Sequence, residues 1–307
     1  MFVSPWVHRY AVFTAVMTFF LLLAGALVTS TGSGLSVPDW PLSYGQWMPP
    51  MVGGVFYEHG HRMVAGFVGF LTLGLAIALK FSEKRRWVRW LGFFALAAVV
   101  VQAVLGGMTV LFGLPPQVSV SHAILAQTFF AITILLVLVT SSSWQKPQVP
   151  IVSERFLGLS LVSHAGILVG LFYLQLFFGA TMRHWGAGLA VPDFPTVFGG
   201  WLPPSWSFAI TVHLAHRLGA VLIVLGVGTF AYRVLNRHSS RFGLVAAAGG
   251  LIGIVLVQFM LGAFLIWAQR PVPLTTLHLG IGAVCLAISV ATLAWLLRVG
   301  ETEVTRE

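Results

Sequence analysis

Apolar runs recur along the whole chain, each about as long as a membrane crossing, and short polar segments separate them. A helix rises about 1.5 Å per residue, so about 20 residues traverse a hydrocarbon core of about 30 Å. Eight runs reach that length, over residues 10–29, 58–80, 90–112, 118–140, 156–180, 209–233, 244–267 and 274–297. The segments between them are too short for a soluble domain. The pattern predicts an all-α membrane protein with eight transmembrane helices. The first run follows only Arg9 and continues into Thr31-Gly-Ser-Gly34 without a small-x-small cleavage site, so it reads as a retained helix rather than a signal peptide.

Composition agrees: 58% of the 307 residues are hydrophobic and 8% charged, with mean hydropathy +0.92, where a soluble domain carries about a quarter charged residues. The net charge of +9 would suit a nucleic-acid partner, but its placement follows topology instead. Arg9, Lys80, Lys84, Arg85, Arg86, Arg89, Lys146, Arg155, Arg233, Arg237, Arg241, Arg298 and Arg306, 13 of the 17 Lys and Arg, fall on the side shared by both termini. Arg183 and Arg270 lie in opposite loops, while Arg62 and Arg217 sit just inside helices. The positive-inside rule then puts both termini in the cytoplasm and the long loops outside, as in a multi-pass protein of an inner (cytoplasmic) cell membrane. Cys285 is the one cysteine and lies within the last run, so an intrachain disulfide, a CxxC pair and a cysteine-rich metal site are all excluded.

The chain is internally duplicated. Gly34-Leu-Ser-Val-Pro-Asp-Trp-Pro returns 154 residues later as Gly188-Leu-Ala-Val-Pro-Asp-Phe-Pro. Trp47-Met-Pro-Pro returns as Trp201-Leu-Pro-Pro and Gly25-Ala as Gly179-Ala at the same offset, and Gln102 to Gly106 matches Gln258 to Gly262 at 156. Each copy is four helices long, and an even count leaves both copies in one orientation, a parallel repeat. Two tandem four-helix bundles are expected, 1–145 and 146–307. In the repeated loops Trp40, Trp47, Trp201 and Trp206 suit headgroup depth, and Asp39 and Asp193 suit Asx turns.

Four of the ten histidines obey the repeat. His61 matches His216 at 155 residues, and His122 matches His278 at 156. All four lie near the outer ends of their helices, so each bundle presents an opposed imidazole pair with room for a heme between, a ligand set that iron accepts well. Arg62 and Arg217, next to His61 and His216, are placed to meet heme propionates near the surface. His59, His164, His184 and His213 have no histidine at the equivalent position, and His8 and His238 read as solvated. Gln102 and Gln258 read as interhelical hydrogen bonders.

Glu58 lies one turn before His61, and its repeat counterpart is His213. A carboxylate beside one pair alone suggests chemistry at one site and a held cofactor at the other, although a helix-start carboxylate near the positive end of the dipole is equally compatible with its position. The glycines of Thr31-Gly-Ser-Gly34 follow a membrane helix, not a strand, so no phosphate loop is present.

Glycines 25–34 with their Thr-Ser-Thr run, Glu58-His-Gly-His61-Arg62, His122, His216-Arg217 and His278 together resemble the heme A synthase family over nearly the whole chain. That resemblance implies oxidation of a ring methyl of heme O to a formyl group by successive hydroxylations, for cytochrome oxidase. It implies a bis-histidine heme b in the C-terminal bundle between His216 and His278. Heme O, as substrate delivered by heme O synthase, would lie in the N-terminal bundle between His61 and His122, with Glu58 as the catalytic carboxylate. An electron-transfer partner is required and unidentified, and a homo-oligomer is compatible with the pattern. Many relatives carry cysteine pairs in the outer loops, and this chain has none there, so a mechanism requiring those thiols does not operate in it. The ligands alone would equally suit a quinol-linked b-type cytochrome without porphyrin chemistry, or less well a heme carrier.

Overall fold

The computed structural model describes residues 4–153 and 155–303. Arg306, counted above among the terminus-side cations, lies outside them. The chain runs α1 (Pro5–Ser30), α2 (Gly54–Ser82), α3 (Arg86–Leu111), α4 (Pro116–Thr140), a single turn α5 (Ser142–Gln145) and strand β1 (Ile151–Ser153). It continues with α6 (Leu161–His184), a 3-10 turn (Ala187–Leu189), α7 (Phe208–Arg237), α8 (Phe242–Trp267), α9 (Val272–Val299) and strand β2 (Glu301–Glu303). Among the described residues eight helices are long and apolar enough to cross a membrane, one for each expected run. The protein is a multi-pass membrane protein.

Lipid explains features that water would not tolerate. Phe70, Phe94, Leu225 and Leu297 project from the helices as exposed apolar side chains. Four buried hydroxyls are satisfied locally: Thr14, Thr18, Thr72 and Thr140 each donate to the carbonyl four residues back, within their own helix.

Two compact units result, Met1–Gln145 with Pro271–Gly280 and Lys146–Arg270 with Ile281–Glu307. In the first, α1 packs on α2 and α4, α2 on α3, and α3 on α4. Gly92 lets α3 approach the Ala76–Leu79 turn of α2 closely. Arg85, in the tight α2–α3 connection, pairs with Glu83 (2.7 Å) and donates to the Val139 carbonyl of α4 (2.8 Å). The N-terminal part of α9 joins this unit, with Gly280 against Leu23 and Phe19 of α1. In the second unit Phe172, Ile223, Phe230, Leu244, Leu251, Leu286 and Leu296 belong to one core. Ile151 of β1 is buried in it, and β1 pairs in parallel with β2.

One boundary moves. The fifth run was expected from 156, but α6 starts at Leu161 because residues 156–159 close a separate turn, with Leu157 and Gly158 at positive φ. Ser160 caps the helix by accepting from the Ser163 amide (3.1 Å), and the buried Arg233 of α7 donates to the carbonyls of Leu159 and Ser160. His8, expected in solvent, is half-buried and bonds Thr140 Oγ1 (3.0 Å) because α1 and α4 are neighbours.

Candidate functional site

The loops that follow α1 and α6 fold alike, each around its aspartate. Asp39 accepts from the amides of Tyr44 (2.7 Å) and Gly45 (2.8 Å). Asp193 accepts from the amides of Phe198 and Gly199 (2.8 Å each) and from the Thr196 hydroxyl (2.6 Å). Tyr44 and Phe198 both hold φ 54, a region that costs a side chain energy and that the aspartate bonds stabilise. The amide of Gly45 leads in holding the Asp39 carboxyl below the usual range, and the Thr196 hydroxyl leads in holding that of Asp193 at about 2. Both aspartates thus act as loop buckles, as their turn positions suggested. Trp47, Trp201 and Trp206 stand exposed, whereas Trp40 turns onto α3 and lies against Gly107.

An arginine of the next helix clamps each loop. Arg62 of α2 donates to the carbonyls of Asp39 and Leu42 (2.7 Å each) and Val37 (3.3 Å). Arg217 of α7 donates to those of Val191 (3.0 Å), Asp193 (2.6 Å) and Thr196 (3.0 Å), and lies over the Phe194 ring. Four residues before each arginine stands an acceptor for the loop valine. In the first unit it is Glu58, which takes the Val37 amide (2.8 Å) and an ion pair from Arg62 (2.7 Å) and is 3% exposed. In the second it is His213, whose Nδ1 takes the Val191 amide (3.3 Å). Glu58 and His213 therefore share a structural duty, and only the carboxylate balances the arginine's charge.

Other equivalent positions diverge as well. Gly34 packs against Leu114, whereas Gly188 packs against the Arg270 guanidinium, although Leu114 and Arg270 share the same left-handed backbone (φ 60 and 59). His59, next to Glu58, bonds Ser43 Oγ (2.7 Å) and keeps a buried Nε2 without a partner. His164 sits deeper in its own unit, between the Gly226 carbonyl (3.1 Å) and Arg233 (3.3 Å).

Three of the four histidines singled out by the repeat rest on duplicated glycines. A methyl group at Gly25 of α1 would stand 3.1 Å from Cε1 of His61 on α2. One at Gly106 of α3 would stand 3.1 Å from Cε1 of His122 on α4, and one at Gly179 of α6 would stand 3.0 Å from Cε1 of His216 on α7. Each imidazole thus lies edge-on against helix backbone that only glycine leaves open. The Nδ1 atoms of His61 and His122 are buried without hydrogen-bond partners, so these rings are placed by packing. His278 lies in the second turn of α9, partly buried. Among the described residues no group of three or more His, Cys, Asp or Glu gathers as a metal site.

Sequence reasoning treated the glycines as marks of duplication and missed that they seat the histidines. It placed Gln102 between helices, and its amide does donate to the His122 carbonyl (2.9 Å). It missed Gln175, whose amide donates to the His216 carbonyl (3.0 Å). Leu21 holds the equivalent place in the first copy, so a search for repeats passes over Gln175.

Residues 8–53 and 52–290 match the family model COX15-CtaA, described as cytochrome oxidase assembly protein. Curated relatives named heme A synthase include that of Shouchella clausii, 32% identical over 255 residues, covering 80% of this chain and 82% of the relative. That of Bacillus licheniformis is 30% identical over 251 residues, 80% of each chain, and that of Geobacillus kaustophilus 28% over 280 residues, 88% of this chain and 84% of the relative. A multi-pass helical protein, three of whose four duplicated histidines sit in duplicated glycine seats, matched over nearly its whole length, belongs to the COX15-CtaA family of cytochrome oxidase assembly proteins.

Proposed function

We propose that the protein is a heme A synthase, oxidising a methyl group of heme O to a formyl group by successive hydroxylations. The observation that carries the reading is the set of glycine-seated histidines, taken with family membership. The relatives bear the name heme A synthase, and an electron-shuttling cytochrome finds no support among them. The membrane would be the cell membrane, with both termini cytoplasmic and the histidines toward the outer face, as the 13 terminus-side cations suggest. The two units are read as a parallel duplication, supported by the matched aspartate buckles and arginine clamps.

His61 and His122 would hold the substrate heme O, and His216 and His278 a resident heme b. The glycine seats hold the imidazoles of His61, His122 and His216 in place by packing, as a heme ligand would require. The resident heme would supply one-electron redox capacity. Arg217 contributes a buried Nε without a hydrogen-bond partner, the donor left for a propionate, while Arg62 acts by holding the loop and Glu58 in place. Turning a methyl group into a formyl group with electrons passing to an acceptor takes up the oxygen of a water molecule and releases protons along with the electrons. Glu58 is the buried carboxylate one turn from His61, and in this reading it takes protons at its Oε atoms while Arg62 and the Val37 amide fix its position. Heme O would arrive from heme O synthase and electrons would leave to a separate partner.

Extraction of porphyrins from the purified protein, expressed where heme O is made, tests the reading. Heme A or its hydroxylated precursor is expected beside heme b, and heme b alone would refute it. Reporters fused after residue 307 and near Gly45 test the topology, and the reverse of cytoplasmic and external would overturn it.

A further inference from the structure

Three histidines rest on a glycine of the neighbouring helix within their own unit, yet only two of these seats carry a glutamine one turn earlier. On α3, Gln102 stands four residues before Gly106 and donates to the carbonyl of His122, the histidine seated there. On α6, Gln175 stands four before Gly179, donates to the carbonyl of His216 and lies 3.4 Å from its Nε2. The Gln175 carboxamide oxygen fills the space a Cβ would take at Gly219, one turn beyond His216, so this glutamine and glycine fit as a pair. In sequence the same spacing recurs as Gln258 and Gly262, the repeat counterparts of Gln102 and Gly106. The His61 seat departs from this pattern: four residues before Gly25 stands Leu21, and the counterpart of Gly219 is Val64. Leu21 is buried, so the departure lies inside the packed unit.

An amide bonded to the carbonyl of a ligand-bearing turn ties that turn to the adjacent helix, and such outer contacts orient ligands and hold metal groups. His61 has packing alone. A synthase must admit and discharge its porphyrin, whereas a resident cofactor must stay. We infer that His61 is the releasable ligand, through which the substrate heme enters and the product leaves, and that Gln102 and Gln175 are positioning residues that lock His122 and His216. The inference rests on the ligand assignment proposed above.

The test transplants the lock. The full-length double variant Leu21→Gln/Val64→Gly, purified from cells that make heme O, is mixed with apomyoglobin as heme acceptor, and porphyrin release is followed by spectrum. Release from the His61 site is expected to slow by roughly 10- to 100-fold, the usual range for outer-shell effects on metal affinity, with the resident heme spectrum unchanged. Gln175→Leu is expected to speed loss of the resident heme by a similar factor, and Gln175→Asn, which keeps an amide donor, to restore part of the hold, whereas Gln175→Glu, which has no donor for the His216 carbonyl, does not. Parent-rate release in either variant, with its heme bound, overturns the inference. If the double variant loses the resident spectrum and so fails to fold, Gln175→Leu decides alone. A parent protein with no porphyrin sensitive to His61→Ala refutes the ligand assignment instead, a separate outcome.

Discussion

The two units use one backbone plan for different electrostatics. At equivalent positions the first carries Thr29, Glu58, Arg62 and Leu114, and the second Arg183, His213, Arg217 and Arg270. The first set sums to no net charge and the second to three positive charges with histidine neutral. The loop buckle, the arginine clamp and the glycine seat persist in both, so they are requirements of the fold, and the chemistry lies in what changes around them. In the proposed assignment the carboxylate stands where a porphyrin would be oxidised and the cations where one would be kept, since an anionic propionate edge gains from them.

The largest effect that would break this comparison comes from the histidines. His216→Ala or His278→Ala should abolish the low-spin heme b spectrum, whereas His61→Ala or His122→Ala should keep it and abolish heme A formation. Equal spectral loss in all four variants would mean the two histidine pairs do not divide the work. Next comes Glu58→Gln, which preserves size and, with one acceptor oxygen in place of two, keeps the bond from either the Val37 amide or Arg62 but not both. It should retain heme b and cut heme A formation by roughly 100- to 10,000-fold, measured as porphyrin ratio in cells, because general acid–base help is of that order. Parent-level conversion would leave Glu58 with only the loop duty it shares with His213.

Stability sharpens the comparison further. Arg62→Ala removes loop bonds and also strands the buried Glu58, whereas Arg217→Ala removes loop bonds and the contact with the Phe194 ring but leaves no buried carboxylate unpaired. Breaking a buried ion pair costs roughly 3–5 kcal/mol, so thermal melting of the Arg62 variant should fall well below that of the Arg217 variant. Matching melting points would show that the loop bonds dominate. The smallest effect belongs to the seats: Gly25→Ala and Gly179→Ala each push a methyl to about 3 Å from an imidazole carbon. Overpacking of this kind costs roughly 1–3 kcal/mol, offset by about 1 kcal/mol of helix propensity. Conversion should drop in the first and heme content in the second while melting changes little.

Most of the fold was legible because membrane helices announce themselves by length and composition, and a repeat announces itself by register. The histidines followed from the same register. What escaped was whatever depends on which helix faces which. Gly25 and Gly106 look like ordinary membrane-helix glycines until the neighbouring imidazole is seen against them, and the four-residue step from Gln175 to Gly179 has meaning only beside His216. The start of α6 was misplaced because residues 156–159 are apolar enough to extend a hydrophobic run, yet tertiary bonds from Arg233 fix the chain there as a turn. The ion pair of Glu58 was missed because i and i+4 residues meet only when their rotamers converge, which here the Val37 loop enforces.

The short β1–β2 pair has a consequence for biogenesis. Residues 151–153 leave the ribosome before α6, and their hydrogen-bonding partners 301–303 follow only after α9. During synthesis Ile151 therefore waits for its strand partner while the four helices between are made, and its amide bond to the Gly300 carbonyl (3.1 Å) forms only after the α9 segment has emerged. The pairing thus ties the entry of the second unit to its exit, a bond of long sequence separation that closes late.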